Sequence, residues 1–331
     1  MSFRAYNFPM KTLITGGAGF IGSHLVQELI AKGHAVTVLD VSEDLIKSNL
    51  MRDHQEGRLK VVTGSIMDQS LVTNLMAGVT HCYHLAAALG VEKINNYPIE
   101  SLEINLKGSQ IVLNAAANVG ARTLLASSSE IYGKNPNMPL KEDSDRVLGS
   151  PEIARWSYSE AKAMDELHAF ELYKHKSLPV TIARFFNTVG PRQSGSYGMV
   201  LPRFVKAAIN NQPLIVYGDG TQSRTFCSVT DVVDALGFLM DSKESIGQAF
   251  NIGSTNEITI TELAQKVIKL TNSTSEIIYK KHSEVFGDHF EEPHRRVPDI
   301  SKIKKVVDWQ PKQSLDEVII EIAEYLKAND A

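Results

Sequence analysis

The sequence predicts a doubly wound α/β fold, a parallel sheet with helices on both faces, followed by a smaller, discontinuous α/β lobe. Three observations lead there. Short β-branched runs alternate with amphipathic stretches through the first half of the chain, as expected for parallel strands joined by right-handed helical crossovers. A glycine-rich turn, Gly16-Gly17-Ala18-Gly19-Phe20-Ile21-Gly22, closes the first such run and opens the first helical stretch. After Asn187, Gly190-Pro191, Gly195, Gly198, Pro202, Pro213 and Gly218-Asp219-Gly220 break the alternation and mark a loop-rich second lobe.

The elements follow in order. Lys11 to Thr15 reads as a strand, Phe20 to Lys32 as a helix closed by Gly33, and Ala35 to Leu39 as a second strand ending at Asp40. Further strands are expected over Leu59 to Thr63, His81 to Ala86, Thr123 to Ser127 and Val180 to Phe185. The principal helices are expected over Ile104 to Asn118 and Tyr158 to Lys174. Asp231 to Asp241 and Ala249 to Ile252 read as a helix and a strand returning to the first domain. The expected division is therefore residues 10–187 plus about 231–257 for the first domain, and about 188–230 plus 258–331 for the second lobe.

Composition narrows the functional classes. The chain has 331 residues, 43% of them apolar, and a formal charge of -4. With a pI near 6.2 it offers no broad basic surface for nucleic acid. Its two cysteines, Cys82 and Cys227, lie in apolar stretches and form no disulfide framework. The first ten residues lack a signal-like apolar block and no stretch is apolar enough to span a bilayer. A soluble, cytoplasmic protein without membrane or nucleic-acid partners is expected. No metal-binding cluster is apparent: His81 and His84 sit in a strand beside apolar residues.

Two motifs carry chemistry. The glycines at 16, 19 and 22 allow a tight turn and let the backbone approach a pyrophosphate at a helix N-terminus. Asp40, ending the next strand, suits both ribose hydroxyls and would repel a 2′-phosphate, which favours NAD over NADP. The second motif is Tyr158-Ser159-Glu160-Ala161-Lys162. Positions four apart share a helix face, so the Lys162 ammonium can stabilise the Tyr158 phenolate and make it a usable base. Ser127, Ser128 and Ser129 end a strand at the carboxyl edge of the sheet, where ligands of such folds bind.

These motifs stand in a recognisable series: Thr15 to Gly22, His84-Leu85-Ala86-Ala87, Asn105, Ser127 to Gly133, Tyr158 to Lys162 and Arg184 to Arg192. The chain thereby resembles the extended branch of the short-chain dehydrogenase/reductase family, specifically its NAD-dependent nucleotide-sugar epimerases, dehydratases and decarboxylases. The likeness covers essentially everything after Met10. It implies a Rossmann-type first domain and NAD contacts at Gly16, Gly19, Phe20, Ile21, Gly22, Asp40, Ser65, Ile66, Leu85, Ala86, Ala87 and Asn105. Ser65 departs from the aspartate that relatives often place against adenine. The resemblance also implies that Tyr158 takes the sugar hydroxyl proton, Lys162 binds the nicotinamide ribose, and Ser128 hydrogen-bonds the reacting oxygen.

In the second lobe the resemblance implies a UDP-sugar site. Asn187, Arg224 and Arg296 match diphosphate contacts. The segments holding Met199, Val200 and Arg203, then Tyr217, and finally Asp299 match further substrate-binding positions. Family chemistry begins with oxidation at C4 and then diverges into epimerisation, decarboxylation or elimination. Glu130 matches an acidic position of the decarboxylases of UDP-glucuronate. Ser129 stands where dehydratases carry an aspartate acid, which disfavours elimination. Met199 stands where decarboxylases hold an arginine near the sugar carboxylate, and a thioether cannot pair a carboxylate. The first expectation is thus a UDP-glucose or UDP-glucuronate 4-epimerase; UDP-glucuronate decarboxylase is the alternative, and a 4,6-dehydratase or a non-catalytic NAD sensor ranks lower. Family analogy implies a homodimer through the helices over Ile104 to Asn118 and Tyr158 to Lys174.

Overall fold

The computed structural model describes residues 10–88, 97–153, 155–195, 199–281, 291 and 293–329. Six strands form the first part of a parallel sheet: β1 (Lys11–Thr15), β2 (Ala35–Asp40), β3 (Leu59–Thr63), β4 (His81–His84), β5 (Arg122–Ser128) and β6 (Val180–Phe185). The short strands β7 (Thr188–Val189), β8 (Leu214–Tyr217), β9 (Ser223–Thr225) and β10 (Cys227–Ser228) follow, before β11 (Gln248–Ile252) completes the sheet. Its order is β11-β6-β5-β4-β1-β2-β3 and every pairing is parallel. The order reverses between β1 and β4, which opens a crevice at the carboxyl ends of those two strands.

Both faces are buried, which is why the strands read as nearly continuous apolar runs. Adjacent residues point to opposite faces. Ile14, Val38 and Phe250 pack with Leu25 and Leu29 of the helix Phe20–Ala31 and with Leu236 of the helix Val229–Asp241. Leu13, Leu39 and Ile182 pack on the other side with Val112 and Leu113 of the helix Ser109–Val119 and Leu172 of the helix Arg155–Lys176. The expected helix from Ile104 begins earlier, at Pro98, and is interrupted by a π turn over Ile104–Gly108. Such turns widen a helix locally and often accompany functional sites.

A third core forms the second lobe. The helix Val200–Ile209 presents Leu201, Phe204 and Val205 to β8, to the helix Ile260–Thr271 and to the helix Leu315–Asn329. Strand β12 (Glu257–Thr259) pairs antiparallel with β9, and β13 (Ile277–Lys280) parallel with β8. Thr259 and Glu262 close a reciprocal capping box at the start of the helix Ile260–Thr271. The last crossing departs from the expected division: Ile303 and Trp309 are buried in the first core, and the Trp309 indole donates to the Asp231 carbonyl at 3.0 Å. No helix among the described residues is long and apolar enough to cross a membrane.

Candidate active site

The crevice is shaped first by backbone. Gly16 has φ +72°, and a Cβ there would stand 2.7 Å from the Ala86 nitrogen, so β1 and the Leu85–Ala87 segment approach too closely for any side chain. Gly22 packs its helix against the Gly16 and Gly17 backbone in the same way. Gly19 starts the helix Phe20–Ala31 in an extended conformation without a side-chain cap, so the first-turn N–H groups are directed to the crevice mouth. Asp40 accepts from Ala18 N at 3.0 Å and Ser42 N at 3.1 Å, one bond on each carboxylate oxygen. Phe20 and Ile21 are partly buried against the first core. This uncapped helix start beside a close-packed glycine turn fits a dinucleotide pyrophosphate.

Three of the expected cofactor positions act differently in detail. Asn105, within the π turn, is buried and its amide is tied twice to Ala88, accepting from its N–H at 2.7 Å and donating to its carbonyl at 3.0 Å. It therefore fixes the chain after β4. Ile66 is buried in the second core against Gly108, so its side chain is a packing group. Ser65 accepts from Met67 N at 3.1 Å and shapes its own turn.

Tyr158 and Lys162 lie one turn apart on the helix Arg155–Lys176. The expected mutual stabilisation is altered. Lys162 is 1% exposed and donates to Asp165 Oδ2 at 3.3 Å. The Tyr158 phenol is pushed upward from its ordinary value, first by burial and then by the carboxylates of Glu130 and Asp165. Behind Lys162 runs a buried series: Ser109 Oγ donates to Asp165 Oδ2 at 3.0 Å, His84 Nε2 lies 3.0 Å from Ser109 Oγ, and Thr15 Oγ1 lies 2.7 Å from His84 Nδ1.

The serines after β5 divide their tasks. Ser127 Oγ donates to Glu166, which is held by Arg184, and Arg184 Nη1 donates to the Tyr132 hydroxyl at 2.8 Å. Ser127 belongs to that supporting network. Ser128 accepts from Glu130 N at 3.2 Å and caps the short turn Ser129–Tyr132, whose Glu130 carboxylate acts on the Tyr158 phenol. Ser159 Oγ donates to the Glu130 carbonyl at 2.8 Å and locks that turn to the tyrosine helix.

Glu130 is the meeting point of the two lobes. Arg296 Nη1 and Nη2 donate to its two oxygens at 2.5 and 3.2 Å, and Arg155 Nη2 lies at 3.6 Å. Burial pushes the Glu130 carboxyl up, but Arg296, Arg155 and Arg224 outweigh it and hold it at about 2. Arg296, matched by sequence to a diphosphate contact, donates through both terminal nitrogens to this carboxylate, and its Nε is buried without a hydrogen-bond partner among the described residues. The remaining second-lobe positions make contacts of their own. Asn187 donates to the Thr225 carbonyl at 2.9 Å. Met199 and Val200 begin the helix Val200–Ile209 and are half-buried. The Arg203 guanidinium lies 4.3 Å from the centre of the Tyr217 ring and donates to the Ile215 carbonyl at 3.1 Å. Arg224 is buried and donates to the Ser223 carbonyl at 2.7 Å. Asp299 accepts from Ser301 N at 2.8 Å, just ahead of the helix Ser301–Val307.

Sequence reasoning did not place Arg155 or Asp165 in the site. Both had a signal: they stand three residues before Tyr158 and three after Lys162, on the same helix face.

The family described as GDP-mannose 4,6 dehydratase matches residues 13–322. The chain belongs to this family of extended short-chain dehydrogenases/reductases. Within it, the chain is 39% identical over 320 residues to the UDP-N-acetyl-alpha-D-glucosaminuronate decarboxylase of Bacillus cytotoxicus, covering 96% of this chain and 98% of that one. It is 36% identical to UDP-glucuronic acid decarboxylase 1 of Arabidopsis thaliana, covering 93% of this chain and 68% of that one. Among solved structures, it resembles a UDP-glucose 4-epimerase from Thermotoga maritima with UDP-glucose at TM-score 0.87 and 28% identity, covering 97% of this chain and 100% of that one. It also resembles the UDP-glucuronic acid 4-epimerase of Bacillus cereus in complex with UDP-glucuronic acid and NAD, at TM-score 0.85 and 26% identity, covering 96% of this chain and 99% of that one.

Proposed function

We propose that this family member is an NAD-dependent decarboxylase of a UDP-hexuronic acid, glucuronate or its 2-acetamido analogue. The observation that carries the reading is the charge around Glu130. One carboxylate meets the guanidinium groups of Arg296 and Arg155, with Arg224 acting from further away. Guanidinium groups gathered in this way suit the carboxylate of the sugar as well. The objection raised by Met199 is met from another part of the chain, because Arg296 and Arg155 supply cations that position 199 does not. The two decarboxylase relatives, matched along nearly all of this chain, support the same side. The reading therefore moves from the first expectation, epimerisation, to the alternative.

The Gly16–Gly22 cradle would hold NAD, which would supply a hydride acceptor for oxidation at C4 and the donor that later restores that carbon. Tyr158 takes the C4 hydroxyl proton as that carbon is oxidised. The product is a β-keto acid, from which the C5–C6 bond breaks, carbon dioxide leaves, and the electron pair passes into an enolate. One proton is then added at C5. Arg296 and Arg155 hold the departing carboxylate, and Ser128 and Ser129 line the side on which the C4 oxygen sits. Glu130 stays ionised and orients the two arginines. The net reaction is UDP-hexuronate plus a proton giving a UDP-pentose plus carbon dioxide.

Incubation of the purified protein with UDP-glucuronate and with UDP-N-acetylglucosaminuronate tests this. A UDP-pentose with carbon dioxide released in equal amount is expected from one of them; UDP-galacturonate or its acetamido counterpart without carbon dioxide would sink the proposal in favour of the 4-epimerase. The proposed setting is a soluble, cytoplasmic homodimer. Exposed Met164 and Leu167 on the helix Arg155–Lys176, with Ile99 and Leu102 on the helix Pro98–Glu103, support a self-association face. A mass near that of one chain in light scattering would refute the dimer.

A further inference from the structure

The buried charge next to Lys162 has no task in the reaction outlined above. Asp165 Oδ2 receives both the Lys162 ammonium, at 3.3 Å, and the Ser109 hydroxyl, at 3.0 Å. Lys162 and Asp165 side chains are each 2% exposed. A lone ammonium in such a place would be strongly disfavoured, and so would a lone carboxylate. The neighbouring charges are otherwise committed. Glu166, the next residue, is held by Arg184 and Ser127. His84 is pushed down to about 3, by burial first and then by Lys162, so it is neutral.

The hydrogen-bond directions follow. Ser109 spends its single proton on Asp165, so its oxygen accepts from His84 Nε2–H, and His84 Nδ1 accepts from the Thr15 hydroxyl. The series thus starts in β1, immediately before the glycine turn, and ends on the ammonium of the Tyr158-Lys162 pair. Every group in it is buried.

We propose that Asp165 is a positioning residue: anchored through Ser109, His84 and Thr15 to the strand that carries the cofactor turn, it fixes the Lys162 ammonium in register with the nicotinamide end of NAD. One ammonium N–H is held by Asp165, which leaves two to face ribose hydroxyls and the Tyr158 oxygen. This rests on the NAD-dependent reading of the site, though not on which sugar is turned over.

The test is a double-mutant cycle between Asp165→Asn and Lys162→Met, read three ways. For turnover, Asp165→Asn is expected to lower kcat up to ~100-fold, the scale of a misplaced group, with KM for the UDP-sugar within about twofold. In the Lys162→Met background the same change is expected to alter kcat by less than about twofold, because its route of action is gone. For stability, Asp165→Asn lowers the melting temperature of the wild type but raises that of Lys162→Met, where it removes an unpaired buried charge. For the cofactor, the rise in melting temperature on adding NAD shrinks in Asp165→Asn to about the value seen in Lys162→Met.

Additive effects on kcat, or a melting temperature lowered by Asp165→Asn in both backgrounds, would overturn the proposal by showing a role in packing alone. A full wild-type response to NAD in Asp165→Asn would do the same. Should Asp165→Asn not fold by itself, Lys162→Met against the double variant still decides by the sign of the thermal change. A wild type inactive on every UDP-uronate but passing the thermal and NAD comparisons would refute the decarboxylase reading and uphold Asp165.

Discussion

Arg296 donates through both terminal nitrogens to the two oxygens of Glu130, joining the second lobe to the turn that follows β5. The pair is separated by 166 residues in sequence. Arg155 reinforces it from the tyrosine helix. If this grouping receives a sugar carboxylate, removing one arginine should harm uronate use selectively. Arg296→Met is expected to reduce kcat/KM for the UDP-uronate by at least ~100-fold, in line with breaking a buried charge-assisted contact, while a neutral UDP-hexose competes as a ligand about as well as before. Equal loss of both ligands in binding measurements would instead return Arg296 to a diphosphate role.

The pair also sets a pH signature. Glu130 is held at about 2 in the folded chain against an ordinary value of 4.5. A depressed carboxyl contributes stability that is present above 4.5 and is lost as pH falls through about 2. The stability advantage of the wild type over Glu130→Gln should therefore be constant from pH 7 to 5 and shrink between pH 4.5 and 2. Denaturant unfolding at pH 7, 5 and 3 measures it, and an advantage that persists undiminished at the lowest of these would contradict the assignment.

Tyr158 is expected to be indispensable to chemistry and dispensable to the fold. Tyr158→Phe keeps the ring on the same helix face and deletes only the proton acceptor. Its NAD binding should match the wild type and its turnover should fall at least ~100-fold, the usual scale for loss of a general base. Because burial and two nearby carboxylates raise the phenol in the absence of ligands, activity should climb with pH through the neutral range. A flat rate profile would argue against the phenol as the acceptor.

Gly16→Ala tests the cradle. The position combines φ +72° with a Cβ path ending 2.7 Å from the Ala86 nitrogen. A loss of roughly 1–3 kcal/mol in stability is expected from the backbone conformation and the clash together. NAD should no longer raise the melting temperature. A variant that keeps both would show that β1 and the segment after β4 can separate without harm.

Much of the first domain was legible because local pattern and global topology agree there. The bounds Lys11–Thr15, Leu59–Thr63 and Val180–Phe185 coincide with the observed strands, where apolar runs end at turn residues on both sides. The strand expected to reach Ala86 stops at His84, since Leu85 to Ala88 leave the sheet at the crevice and are held by Thr15 and Asn105 instead. The Ile66 side chain packs on Gly108, an arrangement between the turn after β3 and a distant π turn that leaves no local mark. The same reason hid the partnership of Arg296 with Glu130: a motif fixes which residue types are present, and the path of the second lobe decides whom they meet. Asp165 was within reach, since its spacing from Lys162 was visible; what was missing was knowledge that both side chains are buried.

The return of Ile303 and Trp309 to the first core bears on how the chain is made. Trp309 is 2% exposed and its indole is bonded to the Asp231 carbonyl, while the Asp231 carboxylate accepts from the backbone of Lys312 and Gln313. A ribosome delivers these residues after every strand of the main sheet, so the nucleotide-binding half cannot finish assembling until they too have emerged. Cutting the chain after β6 would yield an aggregating fragment rather than a portable cofactor module, and late truncations near residue 300 should cripple the part of the protein furthest from them in sequence.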